Sequence, residues 1–258
     1  MTISLEQQEG AHKVPFVAGD LPEAAYRKIC TILREQQGFT LDGYKNLCVK
    51  RRIAARIRAV GEVDADRYLD LLAADTQEQE KLLTALSVHV SHFFRNPSTY
   101  RVLRKIVLPE LAERARRQGS KLRVWSLACA NGEEPYSVAL LCQQLLSEKD
   151  KVSIIGTDLS SAAIQRAKQG CYEPNRLQEV AEEDLQRFFV HRDGRYCLVD
   201  EIRRLVRFFR HDILSDQPFY RADLILCRNL LIYLNAASQQ QVLPTFHYAL
   251  RPGGLLFL

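Results

Sequence analysis

The chain has 258 residues, 47% apolar and 26% charged, enough for one large domain or a small domain joined to a medium one. No apolar run approaches the ~18–20 residues needed to span a bilayer, and the first twenty residues carry acids and glutamines where a secretory signal has an apolar core. Seven cysteines, an odd number without a C-x-x-C pair, argue against a disulfide framework or a zinc site, so each reads as a reduced, mostly buried thiol in a cytoplasmic protein.

The formal net charge is +5, and one segment carries all of it. Residues 41–60 hold Lys45, Lys50, Arg51, Arg52, Arg56 and Arg58 against the single acid Asp42. A concentrated basic element in an otherwise balanced chain predicts a docking surface for an acidic partner.

The first hundred residues read as helices. Pro22 opens an amphipathic stretch to Gln37, which Gly38 stops. The basic segment follows over 41–60, with Val49, Ile53, Ile57 and Val60 at helical spacing. Asp64 is placed to cap a short helix through Ala74, and Thr76 another that carries Leu82, Leu83 and Leu86. Asn96-Pro97 then opens a long helix to about Arg117.

From there the pattern alternates. LRVWSLA is a strand and GEEPYSVALLCQQLL a helix; KVSIIGTDL is a strand and SSAAIQRAKQG a helix; LVRFFRHDI, ADLILCRN and GGLLFL are further strands. Such alternation predicts an α/β fold, a parallel sheet covered on both faces. Residues 187–208 interrupt it as a small antiparallel hairpin insertion, FFV-HRDG-RYCLV. The expected division is a helical domain over 1–90 and an α/β domain over 91–258.

The turn after the first strand, Ser126 to Gly132, stands where a glycine-rich nucleotide loop belongs, with alanines at 128 and 130. Glu133 and Glu134 open the next helix, where a dinucleotide would place its pyrophosphate. Two carboxylates there repel a diphosphate and suit a ligand bearing an ammonium and a sulfonium, which counts against a nicotinamide-dependent oxidoreductase. The plain alternative is that they complement the helix dipole. Asp158 ends the second strand, placed for ribose hydroxyls, and Asp212 follows the FFR strand, placed for an adenine amino group.

Four stretches, SHFFRNPSTY, RVWSLACANGEEPYSVAL, IIGTDLSSAAIQRAKQGCY and DLILCRNLLIYLNAASQQQVL with LRPGGLLFL, occur in the order they have in the CheR-type chemotaxis receptor methyltransferases, which the chain resembles from about residue 22 onward. The resemblance implies a helical N-terminal domain and a Rossmann-like class I methyltransferase sheet with an antiparallel insertion. It also implies a closing hairpin beyond the LLFL at which this sequence ends.

It further implies S-adenosylmethionine as methyl donor, S-adenosylhomocysteine as product, no metal, and glutamate carboxylates of a chemoreceptor helical bundle as acceptors. The implied cofactor contacts are His89, Ser91, Arg95, Ala128, Glu133, Asp158, Asp212, Ile213, Arg228 and Asn229. His89 stands where the family carries Asn, and Ser91 keeps the hydroxyl of the family's Thr. Arg95 and Tyr233 are the implied catalytic residues, the first holding the acceptor carboxylate, the second beside the transferred methyl. The basic helix becomes the receptor-docking face. The short His191-Arg192-Asp193-Gly194 turn, compared with a longer Gly-containing loop in tether-binding relatives, implies no binding of a C-terminal pentapeptide tether. A monomer without nucleic-acid binding or membrane insertion is expected. The rival readings are a nucleic-acid methyltransferase, disfavoured because Tyr44 is the only aromatic in the basic segment, and a non-catalytic cofactor sensor.

Overall fold

A computed structural model describes residues 21–62, 64–86, 91–147, 150–219 and 221–258. They form two compact units, one of the described residues up to Asp42 with Asn46–Leu86, the other of Gly43–Lys45 with the described residues from 91 to Leu258. No helix among the described residues is long and apolar enough to cross a membrane.

The first unit contains α1 (Glu23–Gln37), α2 (Asn46–Val60), α3 (Ala65–Ala74) and α4 (Thr76–Leu86). Gly38 ends α1 in the left-handed conformation, φ 62°, its N–H returning to the Arg34 carbonyl. Asp64 caps α3 by accepting from the Asp66 N–H at 3.0 Å. Ile29, Leu33, Ile53, Ile57, Tyr68, Leu72 and Leu82 are wholly buried and close the core. Beside it lies a polar cluster. Arg56 donates twice to Glu78, Nε to Oε1 at 2.8 Å and Nη2 to Oε2 at 2.5 Å, while the Tyr68 hydroxyl donates to Oε1 at 3.0 Å.

This unit corrects the reading of the basic segment in two respects. Its helix begins at Asn46 rather than at residue 41, and Gly43–Lys45 belong to the other unit. Arg56 is a structural residue, because a guanidinium tied bidentately to a buried carboxylate has no fork left for a partner. Lys50 pairs with Glu23 at 2.8 Å, and Arg52 donates to the Leu86 carbonyl. The exposed face of α2 carries Leu47, Arg51, Ala55 and Arg58.

The second unit opens with α5 (Pro97–Val102), which runs through a π-helical stretch at Leu103–Val107 into α6 (Leu108–Arg117). The wider register lies just before Pro109, which cannot donate to the helical ladder. Then follow β1 (Leu122–Leu127), α7 (Glu133–Leu145), β2 (Val152–Asp158), α8 (Ser161–Gln169), β3 (Cys171–Tyr172), α9 (Glu182–Phe188), β4 (Phe189–Arg192), β5 (Arg195–Leu198), α10 (Asp200–Arg203), β6 (Val206–Arg210), β7 (Ala222–Leu226), α11 (Ala236–Ala249) and β8 (Leu250–Phe257).

The large sheet is wholly parallel, in the order β6-β2-β1-β7-β8. Its strands are apolar runs because helices cover both faces; all five residues of β7 are buried. Gly156 in β2 admits the Phe208 ring, which an added Cβ would approach to 2.7 Å. Asp223, fully buried at the start of β7, holds Arg251 at 3.0 Å and accepts from the Arg123 N–H at 2.8 Å.

A second sheet of order β3-β5-β4 is antiparallel, its β4–β5 turn made by Asp193 and Gly194, both at positive φ. The expected insertion over 187–208 overlaps it imperfectly. The third strand lies upstream at 171–172, and β6, from Val206, belongs to the large sheet. One expectation is overturned outright: Cys171 and Cys197, opposite each other on β3 and β5, form a disulfide, leaving five free cysteines among the described residues.

Candidate functional site

In the large sheet β1 leads outward to β2 and β6, while β7 and β8 lie on the other side of β1. Chains leaving β1 and β7 therefore part, and a crevice opens at their carboxyl ends. Five non-glycine residues of this region are left-handed: Phe94 (φ 51°), Asn96 (62°), Ala128 (50°), Ala130 (50°) and Asn229 (60°). Each costs about 1–3 kcal/mol, strain that persists only where surrounding contacts impose it.

Those contacts are present. The Ala130 N–H donates to Asp158 Oδ2 at 2.9 Å, the Ser160 N–H to Oδ1 at 2.9 Å, and the Cys129 N–H to the Thr157 carbonyl at 2.9 Å. Asn131 is held through its side chain by Arg166 at 2.8 Å and through its carbonyl by the Tyr172 hydroxyl at 2.8 Å. Gly132 (φ 91°) packs so closely that an added Cβ would lie 3.0 Å from both Ala167 and Phe208. Asp158 therefore anchors the loop, a role the sequence reading did not assign to it.

The two glutamates that open α7 are not equivalent. Glu133 is fully buried, and neither of its carboxyl oxygens has a hydrogen-bond partner among the described residues. Burial pushes its pKa up to about 7, against the pull of backbone N–H groups and Arg176. Glu134 accepts from the Ser126 hydroxyl at 2.8 Å and lies 4.0 Å from Arg228 Nη1. It too is raised to about 7 by burial, opposed by Ser126, Arg228 and Arg95. Glu134 is thus engaged by protein groups, while the Glu133 carboxyl oxygens are without a hydrogen-bond partner among the described residues.

Arg228 follows β7, with its guanidinium 5.5 Å from the centre of the Tyr100 ring. Arg95 lies on a segment fastened at two points, the Phe93 N–H to the Arg176 carbonyl at 2.9 Å and the Phe94 N–H to Ser137 Oγ at 3.0 Å. The Ser91 carbonyl accepts from Arg176 Nη1 at 2.5 Å. His89 lies outside the described residues.

Tyr233 ends a short 3-10 turn, Leu231–Tyr233. Residues 43–45 clamp this turn: the Lys45 N–H donates to the Tyr233 carbonyl at 2.9 Å, the Asn235 N–H to the Gly43 carbonyl at 3.0 Å, and Tyr44 bridges Leu234. Gly43 has no room for a Cβ, which would lie 2.3 Å from Leu214 Cδ1. Sequence reading missed this clamp because residue 43 is nearly 200 positions from residue 233.

Beyond β6, Asp212 Oδ1 caps the Leu214 N–H at 2.9 Å, and Ile213 is half-buried beside it. His211, also missed, is buried edge-to-face against Trp125 with Nδ1 unpartnered among the described residues. The structure thus sets Ala128, Glu133, Asp158, Arg228 and Asn229 at the ends of β1, β2 and β7, with Asp212 and Ile213 at the end of β6. Among the described residues no group of three or more His, Cys, Asp or Glu side chains could hold a metal ion.

A parallel sheet with a strained loop after β1, a buried carboxyl group opening α7 and an acid ending β2 is a Rossmann-like arrangement. The chain belongs to the CheR methyltransferase family: the profile described as "CheR methyltransferase, SAM binding domain" matches residues 89–258, and "CheR methyltransferase, all-alpha domain" matches 24–87. It is similar to a chemotaxis protein methyltransferase of Listeria innocua serovar 6a, 35% identical over 92% of this chain and 88% of the relative. Another of the same description, from Salmonella typhimurium, is 32% identical over 92% and 83%. Among solved structures, a SAM-dependent methyltransferase from Thiobacillus denitrificans in complex with S-adenosyl-L-homocysteine aligns with 67% of this chain and 50% of that one, at 17% identity and a TM-score of 0.37.

Proposed function

We propose that this protein transfers the methyl group of S-adenosylmethionine to glutamate carboxylates of a chemoreceptor-like signalling protein, forming methyl esters. The carrying observation is Glu133, a buried carboxyl group without a hydrogen-bond partner among the described residues, in a member of this family. It fits a ligand that brings a positive charge into the crevice, as the ammonium and sulfonium of S-adenosylmethionine would. Asp158 is assigned to the ribose hydroxyls, Asp212 and Ile213 to the adenine, and Ala128, Ser91, His89, Arg228 and Asn229 to the remaining contacts.

When bound, S-adenosylmethionine supplies an electrophilic methyl carbon on sulfur. The chain's own residues have to align the acceptor and exclude water. A glutamate side chain, with an ordinary pKa near ~4.3, is already ionised at neutral pH and needs no general base. Arg95 holds that carboxylate through its planar fork, and Tyr233, its turn clamped by Gly43–Lys45, orients the reacting groups from the other side.

The helical domain (1–90) docks the receptor and the second (91–258) performs transfer, within a cytoplasmic monomer without a metal. The docking cations are those on the exposed face of α2, Arg51 and Arg58, with Lys45 before the helix. The compact β4–β5 turn supports the absence of pentapeptide-tether binding. The test is incubation with radiolabelled donor and a receptor cytoplasmic fragment. Base-labile methanol release is expected from wild type, and at least about tenfold less from Arg95→Lys with affinity for S-adenosylhomocysteine kept within about threefold. Cofactor binding without any ester would leave a sensor; label in RNA instead would make it a nucleic-acid enzyme.

A further inference from the structure

The proposed reaction leaves Glu134 without a task, although it is mostly buried, acidic and next to a buried arginine. Its side chain is only 13% exposed and that of Arg228 only 6%. Carboxylate and guanidinium sides of this contact come from different elements, the first turn of α7 and the loop after β7. A third element, β1, supplies the Ser126 hydroxyl that fixes Oε1, leaving Oε2 toward Arg228. A fourth, α5, supplies the Tyr100 ring beside the guanidinium.

We infer that Glu134 is a positioning residue, whose Ser126-anchored carboxylate holds the Arg228 guanidinium against the Tyr100 ring. The inference rests on the methyl-transfer reading above. Burying a lone guanidinium costs several kcal/mol, so Arg228 needs a counter-charge to stay inside. At 4.0 Å, Glu134 in its ionised form supplies that charge from beyond hydrogen-bond reach and does not occupy the fork. A closer bidentate pair, like Arg56 with Glu78, would satisfy the guanidinium and take it out of use. Arg95 also acts on Glu134, as the smallest of the pulls that oppose the burial of this carboxyl. Glu133, one residue earlier, feels Arg176 but has no hydrogen-bond partner for its carboxyl oxygens among the described residues, and is left to the ligand.

The experiment compares Glu134→Gln, Arg228→Lys and the double variant. Glutamine keeps an acceptor for Ser126 and removes only the charge. Because Arg228 is assigned to the cofactor, affinity for S-adenosylhomocysteine by calorimetry is expected to fall in Glu134→Gln by about as much as in Arg228→Lys, and kcat to fall about tenfold or more. The double variant should be no slower than the worse single, because both substitutions break one contact. A readout independent of activity is the arginine Nε–Hε NMR signal of Arg228, assigned by its loss in Arg228→Lys. It should be sharp and slowly exchanging in wild type and broadened in Glu134→Gln. An unchanged signal, an unchanged S-adenosylhomocysteine affinity, or losses that add in the double variant would each overturn the assignment. Absence of methyl ester from wild type would instead count against the reaction, and the NMR and binding results would still decide the role of Glu134.

Discussion

Replacing Glu133 by Gln tests the charge at the centre of the site. In the folded protein this carboxyl is raised to about 7 from an ordinary value of 4.5. A raised acid favours the folded state while protonated, so its contribution is complete below the ordinary value and is lost as pH climbs through about 7. Two and a half units correspond to roughly 3 kcal/mol, of which about 1 kcal/mol is lost between pH 6 and 8. A cationic ligand reverses the preference, because it binds the ionised form. The ionised fraction rises from about a tenth at pH 6 to about nine tenths at pH 8, so affinity should tighten about tenfold over that window, with release of a proton. Glutamine cannot titrate. Glu133→Gln should bind about 10–100-fold more weakly at pH 8, the worth of a hydrogen bond to a charged group, with its pH dependence flattened. Calorimetry with S-adenosylhomocysteine, whose amino group is cationic over this range, in two buffers of different ionisation heat measures both affinity and protons. A wild-type affinity that is level from pH 6 to 8, or a variant with an unchanged slope, would refute the reasoning.

Other substitutions separate structural from functional charge. Arg56→Ala strands Glu78 and should destabilise the helical unit by about 3 kcal/mol, read as a lowered midpoint in urea. Arg51→Glu should leave that midpoint near wild type and raise the receptor KM at low salt; an unchanged KM would remove Arg51 from docking. Alkylation of the denatured, unreduced protein should block five thiols and spare the Cys171–Cys197 pair. Replacing Cys171 by Ser should cost about 3 kcal/mol, as expected for releasing a loop closed over 26 residues; seven alkylated thiols would show the bond absent. Gly43→Ala forces a methyl group to within 2.3 Å of Leu214 and should loosen the Tyr233 turn, lowering kcat and thermal midpoint together.

Local pattern carried most of the fold. Strand–helix alternation gave the parallel sheet, and caps at Gly38 and Asp64 marked helix boundaries, because these signals act over a few residues. The placement of the candidate acids was also readable: Asp158 ends β2, Asp212 follows β6 and Glu133 opens the helix after β1, on the side where a parallel sheet brings separate loops together. What the one-dimensional pattern could not supply was pairing. Adjacent in sequence and identical in type, Glu133 and Glu134 diverge because one side chain meets Ser126 and Arg228 while the other's carboxyl oxygens have no hydrogen-bond partner among the described residues. Arg56 differs from Arg51 only in the buried Glu78 that folding sets beside it. Cys171 and Cys197 are joined through the register of two short strands, and Gly43 serves a turn nearly 200 residues away. Sequence determines which groups can carry charge and where the backbone bends; tertiary contact decides which charges are neutralised, since that energy depends on distances set between elements far apart in the chain.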